Sequence, residues 1–444
     1  MAPEVLPRSV VLIGDGDLPR AVEIALIRAG ARVRRLRRPN DREIARAVGG
    51  EVEVDVAMVV SRDDIEVLRL ALVVEHARPG LQLIVTVFNR TVADQLRRVV
   101  PACQVTSMAD AVATTLAGPC IDGDLVSLAK SPSSLVGVRE TPVGLETVGL
   151  DDHGRHRLGR IRDNVHSVLR PFDRSARFLL AGLAGILVIL GVDSTVTGIA
   201  LHETPVEAFY EATKSLVTVG PNQALDAAGA PLKVFAAVLM LASLAFVAVL
   251  TAGIVNRLLD HRLTGIIGRR SIPRTDHVVV VGLGQVGLRL CLVLRSLGIG
   301  VVAVERDANA PSVKLARDYR IPVVIGEGAE RPLLARLSLG RARALAAITS
   351  DDVENIAISV AALALRDDLR VVLRAGDGDV TTEIRSLFHI GVVRDVHRIA
   401  GDLLAAAALG IGATGAATRD GETWLVFADG TARPFGELVP DGTA

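Results

Sequence analysis

Three glycines and one carboxylate between Val278 and Glu305 stand at spacings that suit an anionic dinucleotide. Gly282, Gly284 and Gly287 form a G-x-G-x-x-G turn directly after the apolar run Val278 to Val281 and ahead of a helical stretch, Leu288 to Leu297. Glycine at these points permits a tight turn, close approach of backbone to phosphate, and close packing of helix on strand; the helix start adds free N–H groups and a favourable dipole. Gly282, Gly284, Gln285, Val286 and Gly287 are therefore the candidate phosphate contacts. A second strand, Val301 to Val304, ends in Glu305, where a carboxylate can take ribose hydroxyls, with Arg306 beside it. A third strand, Val323 to Ile325, leads into Gly326-Glu327-Gly328-Ala329, which adds Gly326, Glu327 and Gly328 to the same crevice. The expected ligand is NAD(H) or an adenine nucleotide, ATP or ADP.

A different chemistry lies in residues 204–222, TPVEAFYEATKSLVTVGPN. Thr204 can cap a helix, Pro205 suits its first position and Glu207 completes a capping box, so a short helix should run to about Leu216. Val217, Thr218, Val219 and Gly220 then read as extended backbone whose carbonyls can replace the water around a monovalent cation such as K+. Pro221 has no N–H, and Asn222 visits positive φ less readily than glycine, so both bear on how the outer end of such a filter is shaped. Non-helical backbone at membrane depth must be buried or line a water-filled cavity, so the loop requires neighbouring copies of itself.

The flanking elements suit that depth. Val234 to Val255 is a run without a charge that would rise about 33 Å against a hydrocarbon core of about 30 Å. The first span runs from Phe178 to about Ala200, with Asp193 towards its far end. Gly253, in the second span, is a candidate gating hinge, although glycine is common in membrane helices on packing grounds alone. The arginine-rich flanks at residues 155–177 and 256–274, against only Lys214 and Lys233 between the spans, place both termini in the cytoplasm. Met1 to Val10 lacks the apolar core of a signal peptide.

Composition sets further limits. A chain of 444 residues suggests about three domains. Its 50 basic and 50 acidic residues give no reason to expect nucleic acid as a partner. Cys103, Cys120 and Cys291 have no metal or redox spacing and suggest a reduced compartment. His153, His156 and His166 lie among arginines in a polar stretch and read as solvated. Asp351, Asp352 and Glu354 read as acids at a helix N-terminus, with a divalent cation site as the alternative. No activated nucleophile and no base with a positioned partner is visible, which argues against an enzyme.

The N-terminal region repeats the strand–turn–helix pattern in damaged form. Val10 to Ile13 is a strand, Gly14-Asp15-Gly16 a turn and Ala21 to Ala29 a helix, but Pro19 replaces the third glycine. The second strand leads into Arg34, Arg35, Arg37 and Arg38 instead of an acid, so the fold is expected to persist without the dinucleotide. VVLIGDGDLP at 10–19 aligns with VVVVGLGQVG at 278–287, and Ser61-Arg62-Asp63-Asp64 with Thr349-Ser350-Asp351-Asp352. The offsets, 268 and 288, imply that the first copy lost about 20 residues, including its third strand and turn.

Two Rossmann-like units flanking a two-span pore resemble the prokaryotic RCK (KTN, TrkA-N) family of two-transmembrane potassium channels. Ser215-Leu216-Val217-Thr218-Val219-Gly220 is similar to the T-x-x-T-V-G part of that family's filter signature, with Pro221-Asn222 where the family continues Tyr-Gly. The resemblance implies an α/β Rossmann-like domain at 1–150 with a degenerate nucleotide motif and a basic linker at 151–177. It implies a two-helix pore domain at 178–258, a linker at 259–275, a second RCK Rossmann domain at 276–410 and a reduced C-terminal lobe at 411–444. It further implies a homotetramer in the plasma membrane, in contact with lipid, whose cytoplasmic domains form a gating ring and control the pore. A membrane-anchored nucleotide sensor with a non-conducting pore, regulating a transporter, is the second reading, and an oxidoreductase the third. Cysteines introduced in the loop from Ala224 to Gly229 should be labelled by an impermeant reagent from outside intact cells; labelling only from inside would reverse the topology.

Overall fold

The computed structural model describes the chain apart from residues 1–7, 50–52, 132–133, 151–173, 218–221, 264–265, 268–272, 274, 377–390 and 439–444. Two compact units result: residues 158–265, and residues 1–157 together with 266–444.

The N-terminal half of the larger unit alternates strand and helix: β1 (Ser9–Ile13), α1 (Asp17–Arg28), β2 (Arg32–Leu36), α2 (Asp41–Val48), β3 (Val56–Val59), α3 (Asp64–Ala77), β4 (Gln82–Thr86), α4 (Arg90–Val99) and β5 (Cys103–Thr106). The strands form one parallel sheet of order β2-β1-β3-β4-β5. Short apolar runs such as Val56 to Val59 are wholly buried because helices cover both faces of such a sheet. Helix α5 (Met108–Ile121) follows, then an antiparallel sheet of β6 (Leu125–Lys130), β7 (Leu135–Thr141) and β8 (Gly144–Val148).

The smaller unit contains α6 (Arg174–Leu201), α7 (Pro205–Leu216) and α8 (Ala230–Leu263). Within α6 and α8, Ala181–Leu201 and Ala230–Ala252 are long and apolar enough to cross a membrane, with mean hydropathies of 1.9 and 2.6. They lie close to the spans expected at 178–200 and 234–255. Side chains are small where the helices meet: a Cβ on Gly182 would lie 2.9 Å from the Leu250 nitrogen, and one on Gly185 only 2.2 Å from the Phe246 ring.

The C-terminal half begins with β9 (Ile266–Ile267), in the stretch expected to be a linker, and continues through β10 (His277–Val281), α9 (Gln285–Ser296), β11 (Gly300–Glu305), α10 (Pro311–Asp318), β12 (Val323–Ile325), α11 (Arg331–Arg336), β13 (Ala344–Ala347), α12 (Asp352–Leu363), β14 (Arg370–Ala375) and β15 (Val392–Asp395). The sheet order is β15-β14-β13-β10-β11-β12-β9, with β9 antiparallel to β12. Helix α13 (Val396–Ala408) follows, then a second antiparallel sheet of β16 (Ala413–Arg419), β17 (Glu422–Phe427) and β18 (Ala432–Pro434).

Strand register keeps the spacing of the aligned segments. Val10 pairs with Val56 and Val278 with Ala344, which reproduces the offsets of 268 and 288. Among the described residues the first sheet has no counterpart of β12, and α2 is the element found between β2 and β3. The repeat also runs further than expected: each parallel sheet is followed by a long helix and a three-stranded antiparallel sheet. The reduced lobe at 411–444 therefore has a full counterpart at 125–148.

The two halves are joined by crossed helices, α1 on α13 and α9 on α5. One apolar core runs through both, taking Leu26 and Leu116 from the first half and Leu290 and Leu404 from the second. A Cβ on Gly401 would lie 2.9 Å from the backbone of Ala21, so α13 approaches α1 at backbone contact. Each crossing carries an arginine–aspartate pair, Arg28 with Asp402 and Arg289 with Asp110. The two antiparallel sheets share a small core of Ala129, Val138 and Leu145 with Ala417 and Val426.

At the start of β10, His277 is fully buried and its Nε2 lies 3.0 Å from the Leu337 carbonyl. Burial holds its pKa below the ordinary 6.5, against the opposing pull of that hydrogen bond. The unfolded chain thus takes up a proton that the folded chain resists, so this contribution to stability is complete above about pH 6.5 and is lost as the pH falls. The thermal midpoint should drop on acidification, and His277→Gln should flatten part of that drop; an unchanged pH profile in the variant would contradict the assignment.

Candidate functional site

The glycines at the end of β10 have separate duties. Gly282 has φ of 94°, in the region that favours glycine, and a Cβ there would stand 2.7 Å from the Thr349 nitrogen. One on Gly287 would stand 2.0 Å from the Gly282 carbonyl oxygen. Gly284 is the exception, because nothing lies within 4 Å of its Cβ position. It is also the N-cap of α9 and has no side chain to satisfy the first N–H groups of the helix. The open side of the turn therefore presents backbone donors with room for an anion, while Gln285 and Val286 form the first turn of the helix.

Glu305 braces this turn. One carboxylate oxygen accepts from the Leu283 N–H at 2.9 Å; the other accepts from the N–H groups of Arg306, at 2.8 Å, and Asp307, at 3.1 Å. A carboxylate retains further acceptor capacity, so a ribose hydroxyl can still be taken there. Gly326 donates its N–H to the Glu305 carbonyl at 3.0 Å, and a Cβ on Gly328 would meet Val281 at 2.2 Å, so the second turn closes against the end of β10. Glu327 is exposed. Arg306 pairs with Glu354 at 3.7 Å.

The other acids in the crevice hold the fold. Asp351 caps α12 by accepting from the N–H groups of Val353 and Glu354, and Asp352 accepts from Gly376 at 2.9 Å. The reading as a helix N-terminus therefore fits. Among the described residues no group of three or more metal-ligating side chains gathers. Asp63 and Asp64 play the same two parts in the first half, capping α3 and accepting from the N–H groups of Phe88 and Asn89.

The first half's crevice is closed by its own arginine. Arg35 donates to the carbonyls of Gly14, at 3.3 Å, and Gly16, at 3.2 Å, and pairs with Glu23 at 2.9 Å. Its side chain is 8% exposed, so the guanidinium lies on the turn where a phosphate would approach. Strand register makes Arg37 the counterpart of Glu305, and Pro19 is buried in the first turn of α1. The sequence flagged the arginines but gave no sign of which one folds inward.

In the smaller unit, Thr204 accepts from the Glu207 N–H at 3.4 Å and donates its hydroxyl to the Glu207 carboxylate at 3.0 Å, with Pro205 next in the helix. Val217 ends α7 and is exposed. Thr218, Val219, Gly220 and Pro221 lie outside the described residues, as do His153, His156 and His166. Asn222 has φ of −59° and needs no glycine-like conformation. Its carbonyl oxygen accepts from Ala224 at 2.9 Å, and its amide donates to Glu203 at 2.6 Å. The side chain is thus a buried clamp and is not free at the outer end of a filter. Gly253 lies inside α8.

The fold and the turn define a Rossmann-like domain, and residues 278–393 match the TrkA-N domain family. That match bears out, for residues 278–393, the TrkA-N part of the resemblance read from the sequence. Potassium channel protein 1 of Methanocaldococcus jannaschii is 22% identical over 100 residues, 22% of this chain and 30% of that one. The formate-dependent phosphoribosylglycinamide formyltransferase of Pasteurella multocida is 39% identical over 62 residues, 14% of this chain and 16% of that one. The chain thus spans less than a third of the length of the curated relatives it matches. Among solved structures, the GsuK channel bound to NAD aligns at a TM-score of 0.48 with 14% identity, covering 91% of this chain and 64% of that one.

The spacing around the turn makes its own test. Gly287→Val should destabilise the protein by about 1–3 kcal/mol, since the new side chain must displace the Gly282 carbonyl. Gly284→Ala meets open space and should stay within about 0.5 kcal/mol of wild type. Equal unfolding midpoints for the two variants would refute this division of roles.

Proposed function

We propose that the chain is one subunit of a ligand-gated, tetrameric cation channel of the potassium type, in which the C-terminal TrkA-N half binds NAD(H) or an adenine nucleotide and so sets whether the pore conducts. The observation that carries this is the open, uncapped turn at Gly284, braced by Glu305, in the same chain as two apolar helices separated by a capped half-span helix. One chain supplies one pore loop, and a closed ring of filter carbonyls needs four. With two Rossmann-like halves per chain, four chains bring eight to a cytoplasmic gating ring. The N-terminal half, its turn covered by Arg35, acts in this reading as a scaffold rather than a sensor. The M. jannaschii relative bears the name of a potassium channel, which is in keeping with the assignment.

The reading is of a regulator and not an enzyme. Glu305, Asp351 and Asp352 each accept from backbone N–H groups, so they shape the crevice and are not held ready to move protons. The membrane is the plasma membrane, with both termini cytoplasmic. Pro221 cannot donate an N–H behind the filter, so cations should pass in preference to anions while K+ and Na+ are separated weakly.

Flux from liposomes containing the purified protein, with K+ or Na+ gradients and with NADH, ATP or neither, tests this reading. A ligand should change the cation flux, and Gly284→Asp, which sets a carboxylate against the phosphates, should abolish that response. A protein that passes no cation under any ligand would overturn the channel and leave the non-conducting sensor in its place.

A further inference from the structure

Where the two halves of the larger unit meet beside the nucleotide turn, Arg62, His397 and Arg374 lie near one another, and among the described residues no carboxylate forms an ion pair with either arginine. Arg62 comes from the loop after β3 in the N-terminal half. Its carbonyl accepts from the Gln285 amide at 3.4 Å, which fixes the loop against the first residue of α9. Its guanidinium lies 3.3 Å from Nε2 of His397, in the first turn of α13. The other ring nitrogen of His397 is 2.7 Å from the Gly376 carbonyl. With the proton on that Nδ1, Nε2 is left as the acceptor for Arg62.

Arg374, at the end of β14, is the third member. It is only 8% exposed, and its Nε is buried without a hydrogen-bond partner. Among the described residues, neither Arg62 nor Arg374 forms an ion pair. Burial and the nearby charge of Arg62 both push the Arg374 pKa down, and Asp352 only partly opposes them. Asp352 is in turn committed to the Gly376 N–H. Burial of a guanidinium whose Nε makes no hydrogen bond is unfavourable, and an anion arriving beside it would offset that cost.

We propose that Arg62, held in place by His397, and Arg374 form an anion subsite for a phosphate group, supplied either by the terminal phosphates of a nucleotide seated on the Gly282–Gly287 turn or as free phosphate. The first source rests on the function proposed above; the second does not. In the first case the N-terminal half, its own turn blocked by Arg35, lends an arginine to the other half's ligand and so ties occupancy to the seam between them.

Calorimetry on the full chain in detergent, with ATP, AMP and inorganic phosphate as probes, tests the proposal. Arg62 is exposed and on a loop, so Arg62→Gln should fold. If the phosphate comes from the nucleotide, wild type should bind ATP roughly tenfold more tightly than AMP, the scale of one charge-assisted contact, and Arg62→Gln should erase that preference while leaving AMP unchanged. Arg62→Lys should retain part of it. If the phosphate is free, inorganic phosphate should bind saturably to wild type and to Gly284→Asp but not to Arg62→Gln. Unchanged ATP preference and unchanged phosphate binding in Arg62→Gln would overturn the subsite, even with nucleotide binding intact. No nucleotide binding by wild type, together with phosphate binding lost in Arg62→Gln, would keep the subsite and reject the nucleotide reading.

Discussion

The apolar seam between α1 and α13, and between α9 and α5, is the contact on which the larger unit depends. Each parallel sheet covers one face with helices from its own half, but the first helix of either half has its other face turned to the last helix of the partner. Val22, Ala25 and Leu26 on α1, and Leu290, Cys291 and Leu294 on α9, are buried in the one core that runs through both halves. Neither half would close that core alone, which explains why a repeat that lost a strand and its ligand turn has still kept its sheet. The arginine–aspartate pairs at the two crossings add orientation more than stability, since desolvation absorbs much of their attraction.

The halves diverged where chemistry, not packing, is at stake. The structural acids are retained in both: Asp63 and Asp351 cap equivalent helices, and Asp64 and Asp352 receive backbone N–H groups from equivalent loops. The ligand turn survives in one half alone. With Pro19 in the helix start and Arg35 on the carbonyls of the turn, the first crevice holds a fixed positive charge where the second keeps open space. A guanidinium held by two carbonyls and Glu23 is an internal occupant that a mobile ligand would have to displace.

The smaller unit follows a different rule. Its helices approach through glycines, Gly182 and Gly185 on α6 against α8, where the missing side chains let the two backbones come to contact distance. Polar groups there are bonded locally: Thr197 donates to the Asp193 carbonyl, Lys214 pairs with Glu211, and Asn222 ties Glu203 to the start of the 3-10 turn over 223–227.

Local sequence determined the parts of this protein that depend on short-range physics. The G-x-G-x-x-G turn, the acid at the end of the next strand, the capped helix from Thr204 and the two apolar spans all follow from φ freedom, capping and hydropathy within a few residues, and each was legible. The repeat was legible too, because strand registers preserve spacing. The antiparallel sheets after α5 and α13 were not legible as sheets, since strands rich in glycine and alanine such as Ala413 to Arg419 carry little periodic signal. What tertiary structure alone decided is which of four arginines turns inward at the first crevice, that Asn222 is a buried clamp, and that Arg62 meets His397 across 335 positions of sequence. Those outcomes depend on groups brought together by the seam and by helix packing, and long-range contacts of that kind leave no spacing in the chain to be read.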